Sequence, residues 1–156
     1  MAYELQAAIA CMELLRPVTA EISQARIVPL RQGFGLLPIG DALSKALTDP
    51  AAEKMPEFWA LPKGFERTLA EWSRRGRVAY VEAEFFGGNG GQVAAVWEGG
   101  KLVFGPTEDD TPLSPISQAL RRMGATAPGG GDEFDALGLG RERLTEDWLA
   151  LSPEDG

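Results

Sequence analysis

The stretch RVAYVEAEFFGGNGGQVAAVWEGGKLVFG, residues 77–105, holds three runs rich in apolar and aromatic residues, separated by two glycine-rich breaks. Such runs, bounded by turn residues, favour β-strands. Gly99-Gly100, between Glu98 and Lys101, is a two-residue hairpin signal. It predicts the pairs Glu98–Lys101, Trp97–Leu102 and Ala95–Phe104. Taking Gly87–Gly91 as a five-residue loop sets Phe85 opposite Val93, Ala83 opposite Ala95 and Val81 opposite Trp97. One face of this three-stranded meander then carries Val81, Ala83, Phe85, Val93, Ala95, Trp97, Leu102 and Phe104, all apolar. The other carries Tyr80, Glu82, Glu84, Phe86, Gln92, Ala94, Val96, Glu98, Lys101 and Val103. A slip of one residue would exchange the two sets. The register therefore predicts a core face, and an open face that mixes carboxylates with apolar side chains.

The flanking segments supply cover for the core face. Phe65, Leu69 and Trp72 recur at i, i+4 and i+7, an amphipathic helical stripe that Gly76 ends. Ser114-Pro115 reads as a cap followed by proline at the first helical position, with Ile116, Leu120 and Met123 as the buried stripe. A last helix is expected over Arg141–Leu151, burying Leu144, Trp148 and Leu151. Toward the N-terminus, Glu4–Ala10 alternates weakly and reads as a strand, in competition with a helix running on to Leu15. Pro17 argues against an undisturbed helix past Arg16, so a short helix is expected over Val18–Gln24. Arg26–Leu30 and Phe34–Ile39 read as short strands; Pro29 and Pro38 push them toward a sheet edge. Asp41 caps a helix to Leu47, and Thr48–Pro62, with three prolines, is a loop. The expected class is α+β: an antiparallel sheet built on the 77–105 meander, with helices packed on one face. The 156 residues suit a single domain.

The composition excludes several mechanisms. There are no histidines and one cysteine, Cys11. An internal disulfide and a Cys/His zinc site are therefore impossible, and no histidine base exists to activate a nucleophile. Cys11 lies in the apolar run Ala7–Leu15 and reads as a small buried hydrophobe. The net charge of −8 opposes nucleic acid and anionic membrane surfaces and would steer a basic protein partner. No uncharged apolar run is long enough to span a bilayer. The N-terminal apolar stretch, flanked by Glu4 and Glu13, lacks a basic leader, so a cytoplasmic location is expected.

Glu82 and Glu84 are two apart in a strand, which places their Cα atoms about 6–7 Å apart on one face. Such a pair can hold a divalent cation or perform acid–base chemistry, and a solvated sheet face is the plainer reading. Glu108-Asp109-Asp110 is a second acidic group, read as a solvated loop. Gly87-Gly88-Asn89-Gly90-Gly91 resembles a phosphate loop only in composition, because it joins two strands rather than leading into a helix. The basic groups Arg74-Arg75-Gly76-Arg77 and Arg121-Arg122 sit at a helix end and on a helix's outer face, where charge favours the dipole or solvent.

The runs Tyr80–Gly88, Ala94–Trp97, Pro115–Arg122, Glu133-Phe134 and Thr145–Trp148 resemble a family of small uncharacterised bacterial proteins, a likeness that implies no activity. In size, acidity and layout the chain is also similar to bacterial immunity proteins, which act by binding toxins. The expected function is non-enzymatic protein binding, of immunity or regulatory type, with Tyr80, Glu82, Glu84, Phe86 and Val96 as the contact face and no cofactor. A homodimer through that face is a further possibility. The alternative is a carboxylate-dependent enzyme, or a small-ligand or divalent-cation binder, using Glu82 and Glu84.

Overall fold

A computed structural model describes residues 2–86, 89–108, 114–129 and 131–151. Their strands form one six-stranded antiparallel sheet in the order β2-β3-β1-β4-β5-β6. The strands are β1 (Ala2–Cys11), β2 (Val28–Pro29), β3 (Phe34–Pro38), β4 (Val78–Phe86), β5 (Asn89–Glu98) and β6 (Lys101–Thr107). The α+β class and the antiparallel meander agree with the sequence reading. The N-terminal strand lies at the centre of the sheet, between β3 and β4.

The helices are α1 (Met12–Thr19), α2 (Asp41–Leu47), α3 (Phe65–Trp72), α4 (Pro115–Arg122), α5 (Glu133–Leu137) and α6 (Thr145–Leu149). Helix α4 starts as its sequence dictates: the Ser114 side chain accepts from the Ser117 N–H, and Pro115 fills the first turn. Helix α1 starts earlier than expected and keeps Pro17 inside it. The missing proline N–H removes one helical bond, and the helix ends two residues later. Cys11 closes β1 with its side chain exposed, not buried as its apolar neighbourhood suggested.

The register between β4 and β5 differs from the one read off the sequence. Val78 pairs with Trp97, Val81 with Ala94, Ala83 with Gln92 and Phe85 with Gly90. Pairing continues to Phe86–Asn89, so Gly90 and Gly91 belong to the strand and not to a loop. The offset is three residues, an odd number, so β5 turns over relative to β4. Tyr80, Glu82 and Glu84 therefore share a face with Val93, Ala95 and Trp97, while Val96 lies on the other face with Val81 and Ala83. The hairpin at Gly99-Gly100 holds as read for Glu98–Lys101 and Trp97–Leu102. Beyond it, a bulge pairs Phe104 with Val96 in place of Ala95.

Helices cover both faces, a wider cover than the one-sided packing expected. On the Tyr80 face lie the 48–62 loop and α3: the Phe58 and Phe65 rings meet Tyr80 edge-on, at centroid distances of 4.9 and 6.2 Å. On the Val81 face lie α4 and α5. The Ile116 N–H donates to the Gln92 side chain, and Phe134 stacks at 5.6 Å on Tyr3, the cross-strand partner of Phe85. Tyr80, Val81, Val93, Ala94, Ala95 and Val96 are all fully buried. Runs this uniformly apolar are what two-sided burial requires.

The last helix is shorter than expected, and Leu144 is exposed rather than buried. The cause lies in β1. Strand β3 ends at Pro38, opposite Ala7, which leaves the free edge of β1 from Ala2 to Gln6 without a strand partner. Buried backbone donors must find acceptors. Glu4 N–H donates to the Arg143 carbonyl, and Gln6 N–H donates to Thr145 Oγ1. Residues 142–144 are held extended by this contact, so the helix begins at Thr145.

Gly90 has φ 150°, and a Cβ there would run into the Glu84 carbonyl. Gly90→Ala is expected to destabilise the protein by about 2 kcal/mol or more. Gly131→Ala, in open space, should stay within about 0.5 kcal/mol of wild type. Urea unfolding of both variants checks the register, since only the observed pairing brings Gly90 against Glu84.

Candidate functional site

Glu82 has 2% of its surface exposed. A buried carboxylate is costly unless donors meet it, and three do. The Trp59 N–H reaches Oε1 at 2.6 Å, and the Ala60 N–H reaches Oε2 at 2.9 Å. The Tyr80 hydroxyl donates to the same Oε2 at 2.6 Å. Gln6, the cross-strand partner of Glu82, donates its side-chain amide to the Ala60 carbonyl at 2.9 Å. The 48–62 loop is thus fastened to the sheet through its own backbone at residues 59 and 60. Lys54 adds a further tie, its ammonium reaching the Trp59 carbonyl at 3.5 Å.

The loop follows from its sequence. Phe58 is apolar and buried edge-on against Tyr80, and the backbone of the next two residues faces Glu82. Trp59 then points outward. The residue is 42% exposed, whereas Trp72, Trp97 and Trp148 are at most 7% exposed. The ring lies over Gly91, the cross-strand partner of Glu84. Glu84, opposite Gly91 on β4, and Glu57, two residues before Trp59 on the loop, are both exposed.

The residues singled out in the sequence are therefore separated by depth and by face. Tyr80 and Glu82 are not on an open face but under the loop. Glu84 lies on the same face beyond the loop's edge, exposed to water. Val96 is buried on the opposite face, a consequence of the shifted register. Phe86 pairs through its backbone with Ala2 and Asn89, and its side chain lies outside the described residues. Of the glycine run, Gly87 and Gly88 lie outside the described residues, as do Asp109 and Asp110 of the second acidic group. Glu108 is exposed after β6. Several of the arginines hold structural partners. Arg77 bonds Glu98 at 3.2 Å and the Arg122 carbonyl at 3.0 Å. Arg121 bonds the buried Glu133 at 3.3 Å, and Arg122 covers the Phe104 ring.

Trp59, Ala60 and Gln6 were absent from the sequence reading. The one signal for them is compositional: the 48–62 loop holds Met55, Phe58 and Trp59, too much apolar surface for a freely solvated connection.

Burial raises the pKa of Glu82 above its ordinary 4.5, against the opposing effects of the Tyr80 hydrogen bond, the two loop N–H groups and Lys54. Burial, with the charge of Glu82 next, pushes Tyr80 well above its ordinary value. Tyr3 is also raised by burial, with Glu4 adding to the effect. Two open cavities lie elsewhere. One, of about 690 Å³, is lined by Ser23, Arg26, Asp41 and Glu146 among others. Another, of about 460 Å³, is lined by Glu53, Lys54, Glu66 and Arg67 among others. Neither includes Glu82 or Glu84. Among the described residues, no group of three or more His, Cys, Asp or Glu side chains could hold a metal ion, and no helix is long and apolar enough to cross a membrane. No protein-family model matches the chain, and no curated protein or solved structure matches it.

Glu82→Gln keeps the shape but turns a donor toward the loop N–H groups. Its cost is expected to be about 2 kcal/mol at neutral pH, within the range for a buried donor that loses its acceptor. Proteolysis should then cut first between residues 48 and 62. Because the folded-state pKa of Glu82 is raised, the neutral carboxyl suits the fold better than the charged one. That contribution is complete below pH about 4.5 and is lost as pH rises through the raised value. The stability of wild type minus that of Glu82→Gln should fall across this window. A flat difference in urea midpoints between pH 4 and 8 would contradict the assignment.

Proposed function

We propose that the protein is a non-enzymatic protein-binding domain, of immunity or regulatory type, whose contact point is the Trp59 loop at the Glu84 end of the sheet. The observation that carries this reading is the pairing of a buried clamp with an exposed anchor: Glu82 fixes the backbone of Trp59 while the indole stands in water. Interfaces draw much of their energy from a few aromatic side chains, tryptophan prominent among them. An anchor held in place before binding loses less freedom on binding. A net charge of −8 favours a basic partner by steering its approach. The use of Glu82 and Glu84 as an acid–base or cation-binding pair has less support, because the Glu82 oxygens already accept three hydrogen bonds beneath the loop.

Photo-cross-linking from a residue adjacent to Trp59, in extract of the native host, tests the proposal. A partner is expected whose yield falls at least about tenfold in Trp59→Ala, the range of a single interface anchor, with melting temperature within about 3 °C of wild type. Val103→Ala, on the distant strand β6, should leave the yield unchanged. Equal yields from Trp59→Ala and wild type would overturn the proposal.

A further inference from the structure

We infer that the segment docking on Trp59 presents an arginine, its guanidinium stacked on the indole and paired with Glu84. This rests on the reading of Trp59 as the contact point and adds the chemistry of what it contacts.

Two exposed carboxylates sit on the elements that hold the indole. Glu84 projects from β4 beside Gly91, on which the ring lies, and Glu57 stands two residues before Trp59 on the same loop. Lys54, exposed on the same loop, is directed to the Trp59 carbonyl and its charge is felt by Glu82, so it is engaged with the loop's own backbone. An indole face attracts a cation within about 6 Å of the ring centre. A carboxylate alongside can accept two parallel N–H bonds from one guanidinium. A single arginine satisfies both at once: its planar group stacks on a ring while its edge meets a carboxylate. Lysine, a strongly hydrated point charge, forfeits the stacking and the two-point bond. The fold places an arginine over an aromatic ring twice within itself, with Arg122 at 4.9 Å over the Phe104 ring and Arg141 at 5.2 Å over the Trp148 ring.

Three nine-residue peptides discriminate the possibilities: one alternating glycine with arginine, one with lysine in place of arginine, and one with leucine. Binding is read by calorimetry and by tryptophan fluorescence, in which Trp59 supplies the solvent-exposed emission. The arginine peptide is expected to shift that emission saturably and to bind about three-fold or more tighter than the lysine peptide. Trp59→Leu should weaken it about five-fold and Glu84→Gln about three-fold, each variant keeping the wild-type melting temperature. If the arginine and lysine peptides bind alike, or if Trp59→Leu binds the arginine peptide as wild type does, only general charge attraction is at work and the inference falls. If the leucine peptide alone perturbs Trp59, the inference also falls while the contact point stands. If no peptide reaches Trp59, both fall.

Discussion

A carboxylate that leaves water must be met by donors or give up its charge, and most of this architecture near the sheet centre can be derived from how Glu82 meets that demand. Its strand neighbours offer one donor, the Tyr80 hydroxyl. The remaining two come from the backbone of a loop more than twenty residues earlier in the chain. Once residues 59 and 60 are drawn to the sheet, Phe58 lands on Tyr80 and the aromatic cluster of Phe58, Tyr80 and Phe65 closes under α3. The edge-on geometry of these rings adds roughly 0.5–1.5 kcal/mol per pair beyond burial alone. The burial that raises the pKa of Glu82 and the contacts that lower it are parts of one arrangement. The loop excludes water from the carboxylate and supplies the N–H groups that replace it.

Much of the local structure was legible in the sequence. The Gly99-Gly100 hairpin, the α3 stripe, the cap of α4 and the strand over residues 4–10 rest on short-range chemistry, and the structure contains each of them, though the central place of that strand was not legible. The connection between β4 and β5 was not legible, for a physical reason. A run of four glycines and one asparagine imposes no loop length, and any of several registers keeps apolar residues on both strands. A five-residue loop makes one face wholly apolar. The true register places apolar residues on both faces. A better signal was present: Val93–Trp97 has no polar residue at all, the mark of a strand covered on both sides.

The candidate site was half visible for the same reason. Glutamates at positions 82 and 84 of an alternating strand suggest water on one side, and for Glu84 that is what the structure shows. For Glu82 it is not, because two of the three donors that permit its burial are backbone groups, and a backbone N–H leaves no trace in side-chain composition. The extended segment at 142–144 has a similar origin. Its conformation answers unpaired donors on β1, more than a hundred residues away, and overrides a helical pattern that extends to Arg141.

The two outer strands bear on where a partner can attach. Strand β2 is two residues long and contains Pro29. Strand β6 exposes Leu102 and Val103, which suggests a docking edge at first sight. Yet its pairing with β5 shifts register twice, Lys101 guards one end, and Pro106 lacks a ladder donor near the other. Bulges, lysine and proline are the devices by which edges avoid adding another strand. Both edges are thus poorly suited to recognition through the backbone. What remains is recognition through side chains, and there the contrast within the fold is sharp. Three tryptophans are closed into the core, while Trp59 is left out of it by a loop that the core itself holds still.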